Sequence, residues 1–127
     1  MVQIMEVKNF YFKLVKSLRL VASPFDTQIK SMPDFVVIPD EIALTFYDSY
    51  LLTNRLKEEN LISARSFDLL SELNTLFDEM SNNQMLWDLN SLRNNENWNR
   101  CRNMALQILD ELDENYDTPN LDYHWIS

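Results

Sequence analysis

The chain contains no glycine at all among its 127 residues. At an ordinary frequency of about 7%, close to nine would stand in a chain of this length. A phosphate-cradling P-loop, a dinucleotide-binding GxGxxG turn and a nucleophile elbow each need glycine where the backbone bends sharply or approaches a ligand. All three are excluded. Hairpin-rich β folds are disfavoured for the same reason, since their tight turns use Asn-Gly or Asp-Gly. Histidine and cysteine occur once each, as His124 and Cys101. One of each cannot build an ordinary zinc site, and one cysteine cannot form an internal disulfide. No run of about 18 apolar residues occurs, so no membrane span is expected. The first residues do not read as a signal peptide, because Glu6, Lys8 and Lys13 interrupt the apolar stretch such a segment needs. A cytoplasmic location is the expectation.

Basic residues are also scarce, with 11 Lys and Arg against 20 Asp and Glu and a net charge of −9. Five of the bases (Lys8, Lys13, Lys16, Arg19 and Lys30) fall in the first 30 residues. The remaining chain is therefore strongly acidic. A surface of this sign repels polyanions, so nucleic acid is not an expected partner. It attracts and steers basic proteins.

Hydrophobic residues make up 46% and aromatics 12%, enough for a packed core in a single domain spanning 1–127. Val7, Phe10, Tyr11, Leu14, Val15, Leu18 and Val21 recur at helical spacing and predict an N-terminal helix within residues 1–22. Residues 23–39 hold three of the four prolines and read as a connection, with Phe35 to Ile38 extended across the bundle. Pro39, Asp40 and Glu41 form a helix start, and the helix runs to about Asn60. A leucine-rich helix follows from about Ser63 to Met80. A short helix capped by Asp88 comes next, then a long one capped by Asn95 or Asn97. In that last helix Trp98, Cys101, Met104, Ala105, Ile108, Leu109 and Leu112 share one face, which makes Cys101 a small core hydrophobe. The expected fold is all-α. It is a single-domain antiparallel bundle of four long helices, the N-terminal one included, plus a short helix, with the bundle at 40–115 and an acidic, aromatic tail at 116–127.

Motifs for chemistry are not apparent. Carboxylate pairs such as Asp68 with Glu72 are what any acidic helix face contains. The Glu-x-x-His pattern of di-iron bundles is missing, since Leu121 precedes His124 by three positions. An EF-hand reading that starts at Asp113 fails at its sixth position, Thr118, and its twelfth, His124. No catalytic residue, cofactor or metal is therefore assigned.

What the residues do suggest is a binding surface. Asp110, Glu111, Asp113, Glu114, Asp117 and Asp122 crowd a stretch free of basic residues, with Tyr116, Tyr123 and Trp125 beside them. Aromatic anchors and steering carboxylates are the usual equipment of a protein interface. The candidate partner-binding residues are Asp110, Asp113, Glu114, Tyr116, Asp117, Asp122, Tyr123 and Trp125. Glu41, Asp48, Asp68 and Glu72 form the alternative acidic face.

The stretch from Met32 to Leu44, the leucine-rich helix, the Leu86-Trp87 pair and Trp98 through Leu112 together resemble small helical bacterial immunity proteins. Those proteins neutralise the toxin domains of contact-dependent growth inhibition and related competition systems. The likeness covers about residues 23–115 and contains no catalytic motif. It implies a non-enzymatic cytoplasmic protein that blocks one cognate, basic toxin, a nuclease among the possibilities. An acidic adaptor or regulatory subunit is the rival expectation.

Overall fold

A computed structural model describes residues 4–114 and is all-α. Helix α1 spans Ile4–Ala22, α2 Phe25–Lys30, α3 Ile38–Tyr50 and α4 Thr53–Glu58. Helix α5 spans Ala64–Met80, a 3-10 turn Gln84–Leu86, α6 Leu89–Asn94 and α7 Glu96–Glu111. Four long helices are present as expected, but three short ones join them rather than one. The helix expected over 40–60 breaks at Leu51 and Leu52 into α3 and α4. The connection over 23–39 is not wholly irregular, because Pro24 stands at the N-cap of α2 with the extended φ of −60° that proline favours. Nor is Phe35 to Ile38 a strand. The segment turns, then enters α3 at Ile38, yet still alternates, with Phe35 and Val37 exposed and Val36 and Ile38 packed on the core.

Helix starts follow the capping chemistry. Ser63 Oγ accepts from the Ser66 amide at 3.0 Å, Asp88 Oδ1 from Ser91 at 2.7 Å and Asn95 Oδ1 from Asn97 at 2.8 Å. Each satisfies a donor that the first turn leaves unpaired. Two helix ends show the consequence of a glycine-free chain. Asn60 after α4 and Asp113 after α7 adopt left-handed φ of 62° and 61°. Around Asn60, the Leu61 amide donates to Leu56 and the Asn60 amide to Lys57. Around Asp113, Glu114 donates to Leu109 and Asp113 to Asp110. Both are Schellman closures, with Asn and Asp at the position where glycine usually stands.

One apolar cluster joins the long helices. In α7 the expected face is buried at Trp98, Cys101, Ala105 and Ile108, with Leu109 beside them and Leu112 packed at the margin. Helix α7 runs back along α1. Arg102 near its start reaches Ser23 just past α1, and Glu114 beyond its end meets Tyr11 in the middle of α1. Helix α3 packs on α1 through the buried hydroxyl pair Ser49 and Ser17, 2.9 Å apart. It packs on α5 through Phe46 against Phe77. Among the described residues no buried side-chain nitrogen or oxygen lacks a hydrogen-bond partner. Among the described residues no helix is long and apolar enough to cross a membrane either.

Candidate functional site: the groove between α3 and α5

The apolar residues of α3 cover more of the helix than its core contact uses. At about 100° per residue, Ile42, Phe46, Tyr50, Ala43, Tyr47, Leu51 and Leu44 span an arc of about 200°, where a core stripe needs little more than about 100°. The core takes one side of that arc: Ile42 and Phe46 are fully buried. The other side stays in solvent, with Leu44 54%, Tyr47 47% and Leu51 58% exposed.

That outer edge borders an open groove of about 500 Å³ between α3, the second half of α5 and the 3-10 turn. Ala43, Phe46, Phe77 and Trp87 give it apolar walls, beside Leu44 and Tyr47. Asn74, Ser81 and Gln84 add neutral polar groups, while Asp40 and Asp78 are the charged residues among the described ones that line it. Both carboxylates are solvent-exposed. The walls are held by a chain of aromatic contacts. Phe46 lies 5.6 Å from Phe77, Phe77 5.8 Å from Trp98 and Trp98 5.4 Å from Trp87, centroid to centroid. The indole N–H of Trp87 donates to the Met80 carbonyl at 3.0 Å, and that of Trp98 to Leu86 at 2.7 Å. These two bonds pin the turn that closes the groove, so its shape is built into the core rather than into mobile side chains.

Two smaller hollows, about 310 Å³ each, lie between α5 and α7 and share Glu72, Arg100 and Met104. They place opposite charges side by side. Among the described residues no group of three or more His, Cys, Asp or Glu is placed to hold a metal ion.

Of the acidic residues singled out near the C-terminus, Asp110, Asp113 and Glu114 lie within the described residues. Asp110 and Asp113 are exposed at the end of α7. Glu114 is committed inside the molecule: it accepts from the Tyr11 hydroxyl at 2.7 Å and pairs with Arg19 at 3.4 Å. Burial, followed by this carboxylate, pushes the Tyr11 phenol well above its ordinary range. Tyr116, Asp117, Asp122, Tyr123 and Trp125 lie outside the described residues. The alternative face is divided. On α5, Asp68 and Glu72 project about 180° away from the groove side marked by Asn74, Phe77, Asp78 and Ser81. Glu41 and Asp48 flank the exposed edge of α3 without lining the groove. Sequence reading missed Leu44, Tyr47 and Asp78 as surface features. The over-wide apolar arc of α3 was the signal that could have found the first two.

Cys101 is buried against the Met80 sulfur, 3.6 Å away. Burial pushes its thiol up to about 12, so it carries no thiolate near neutral pH.

Comparison with known protein families, curated proteins and solved structures found no match to this chain.

Proposed function

We propose that this chain is a non-enzymatic binding protein that neutralises a basic toxin domain in the cytoplasm, as the bacterial immunity proteins it resembles do. The observation that supports this reading most is the outer edge of α3. Leu44, Tyr47 and the C-cap residue Leu51 face solvent along a helix that also carries Asp40, Glu41 and Asp48. A protein of net charge −9 has no need of exposed large apolar side chains for solubility. Apolar anchors bordered by carboxylates suit a partner that is basic and locally apolar. Such a partner would be covered by binding rather than chemically altered, which is sufficient to silence an active site. Asp110 and Asp113, exposed at the far end of α7, would add to long-range attraction.

The test is co-expression. An immunity gene is expected directly after a toxin-bearing gene, so the C-terminal domain encoded immediately upstream is the toxin to express. Cells producing that domain should survive only when this chain is present, and the two proteins should co-purify. Unprotected cells, with this chain folded and abundant, would discard the reading and leave the adaptor role in its place.

A further inference from the structure

We propose that the α3–α5 groove receives one large apolar side chain from an amphipathic basic helix of the partner, with cationic side chains on that helix pairing with Asp40 and Asp78. This deepens the binding role proposed above and rests on it for the identity of the partner. Its physical content is independent of that identity.

The groove has the size of a side-chain or small-ligand pocket, about 500 Å³ within a usual range of roughly 300–1,000 Å³. Its walls are aromatic and aliphatic, so they gain little from a polar occupant and most from an aromatic or long aliphatic one. Among the described residues its charged lining is negative, Asp40 from α3 and Asp78 from α5. An acidic or neutral occupant would leave both carboxylates desolvated beside it without a partner, which costs binding energy. A cationic neighbour removes that cost. The two hollows between α5 and α7 do not meet this description, because Arg100 stands in each and would repel the same cation. A helical occupant fits the flanking surface. Leu44, Tyr47 and Leu51 stand along α3 at spacings of three and four and form a ridge against which another helix can lie.

The probe is a synthetic amphipathic peptide carrying one tryptophan with a lysine one helical turn to either side. Its control has glutamates in place of the lysines. Binding is followed by NMR on isotope-labelled protein. The lysine peptide should shift the amides of α3 and of residues 74–81 together with the Trp87 indole, and should bind about tenfold or more tighter than the glutamate peptide. Ala43→Leu, which fills the groove from its wall, should weaken the lysine peptide about tenfold. Asp40→Asn with Asp78→Asn, both on the surface, should reduce the preference for lysine over glutamate to within about twofold. Asp68→Asn with Glu72→Gln removes the same charge elsewhere and should keep the preference. Equal binding of the two peptides, or shifts centred on the end of α7, would overturn the proposal. So would self-association of the protein through the groove, detected as dimerisation that Ala43→Leu abolishes. Should the lysine peptide bind as described while co-expression gives no protection, the toxin reading fails and the groove stands.

Discussion

At the scale of single residues, the absence of glycine has an energetic signature. Asn60 and Asp113 hold left-handed backbones at the ends of α4 and α7. For most L-residues that conformation costs roughly 1–2 kcal/mol, less for Asn and Asp, and glycine escapes it. Asn60→Gly and Asp113→Gly should therefore each raise unfolding free energy by a few tenths of a kcal/mol to about 1 kcal/mol, net of the added freedom of the unfolded chain. Asp113→Gly should gain more, since it also removes a negative charge from the negative end of a helix dipole. Urea denaturation of the two variants measures both the gain and the ranking. Cys101 carries a second prediction. Its thiol ionises near 9 when free and at about 12 in the fold. Above pH 9 the unfolded chain loses this proton while the native protein keeps it, so stability is intact below pH 9 and declines as pH rises toward 12. The slope from this group is about 1.4 kcal/mol per pH unit. Cys101→Ala should remove that component, seen as a shallower loss of stability between pH 9 and pH 11. The Tyr11 phenol acts in the same direction and should remain.

At the scale of elements, local signals were readable and tertiary junctions were not. Asp88 caps the helix expected of it, Asn95 rather than Asn97 caps α7, and Ser63, where a helix was expected to begin, caps α5, because capping depends on residues within one turn. The face of α7 was readable because its apolar period is narrow. The short helix α2 was hidden by prolines on both sides, and its reason for existing lies far away in sequence. Gln28, fully buried, donates to the carbonyls of Leu20 and Val21 at the end of α1, at 3.1 and 3.2 Å. Its own oxygen accepts from Arg102 Nη2 at 2.8 Å. The same guanidinium donates to the Ser23 carbonyl at 3.1 Å and the Leu92 carbonyl at 2.6 Å. One arginine thus closes the ends of α1 and α6 and fixes α2 between them. Burial lowers its pKa, but an arginine remains charged, and a cation suits helix C-termini. Arg102→Leu should leave Gln28 Oε1 and two carbonyls without their donor. At about 1–3 kcal/mol for each buried group, a loss of at least about 3 kcal/mol is expected. Arg102→Lys should recover only part of it, since an ammonium cannot present the planar fork. Thermal unfolding, with hydrogen exchange to locate the loosened region at α2, checks both. An Arg102→Lys protein as stable as the parent would show the fork to be dispensable.

At the scale of the whole molecule, the acidic character was plain in the sequence, whereas the place where carboxylates border an apolar groove was not. Counting carboxylates located Asp110 and its neighbours, but Glu114 among them is occupied by Tyr11 and Arg19 across the fold. Asp40 and Asp78, 38 positions apart in the sequence, line the same groove because α3 packs on α5, as in the contact of Phe46 with Phe77. No local pattern encodes that pairing. The two roles of charge now separate. Steering depends on the field of the entire protein, so removing two negative charges anywhere reduces it similarly, whereas residence depends on contact. Three neutralised pairs expose the difference: Asp40→Asn with Asp78→Asn, Asp110→Asn with Asp113→Asn, and Asp68→Asn with Glu72→Gln. Each removes two charges from a net of −9. If attraction accelerates association by about 10- to 1,000-fold at low salt, losing that fraction of the charge lowers the on-rate by about two- to fivefold in every case. At 0.3 M salt or above, where screening acts within several ångströms, the three on-rates should converge on that of the parent. The off-rate should rise for the Asp40 and Asp78 pair alone, because only those carboxylates meet the bound cations. Surface plasmon resonance with the toxin domain across a salt series reads both rates. An off-rate change confined to the Asp110 and Asp113 pair would move the contact site to the end of α7. Off-rates unmoved in all three would leave the charge of this protein as a long-range field without a carboxylate in the interface.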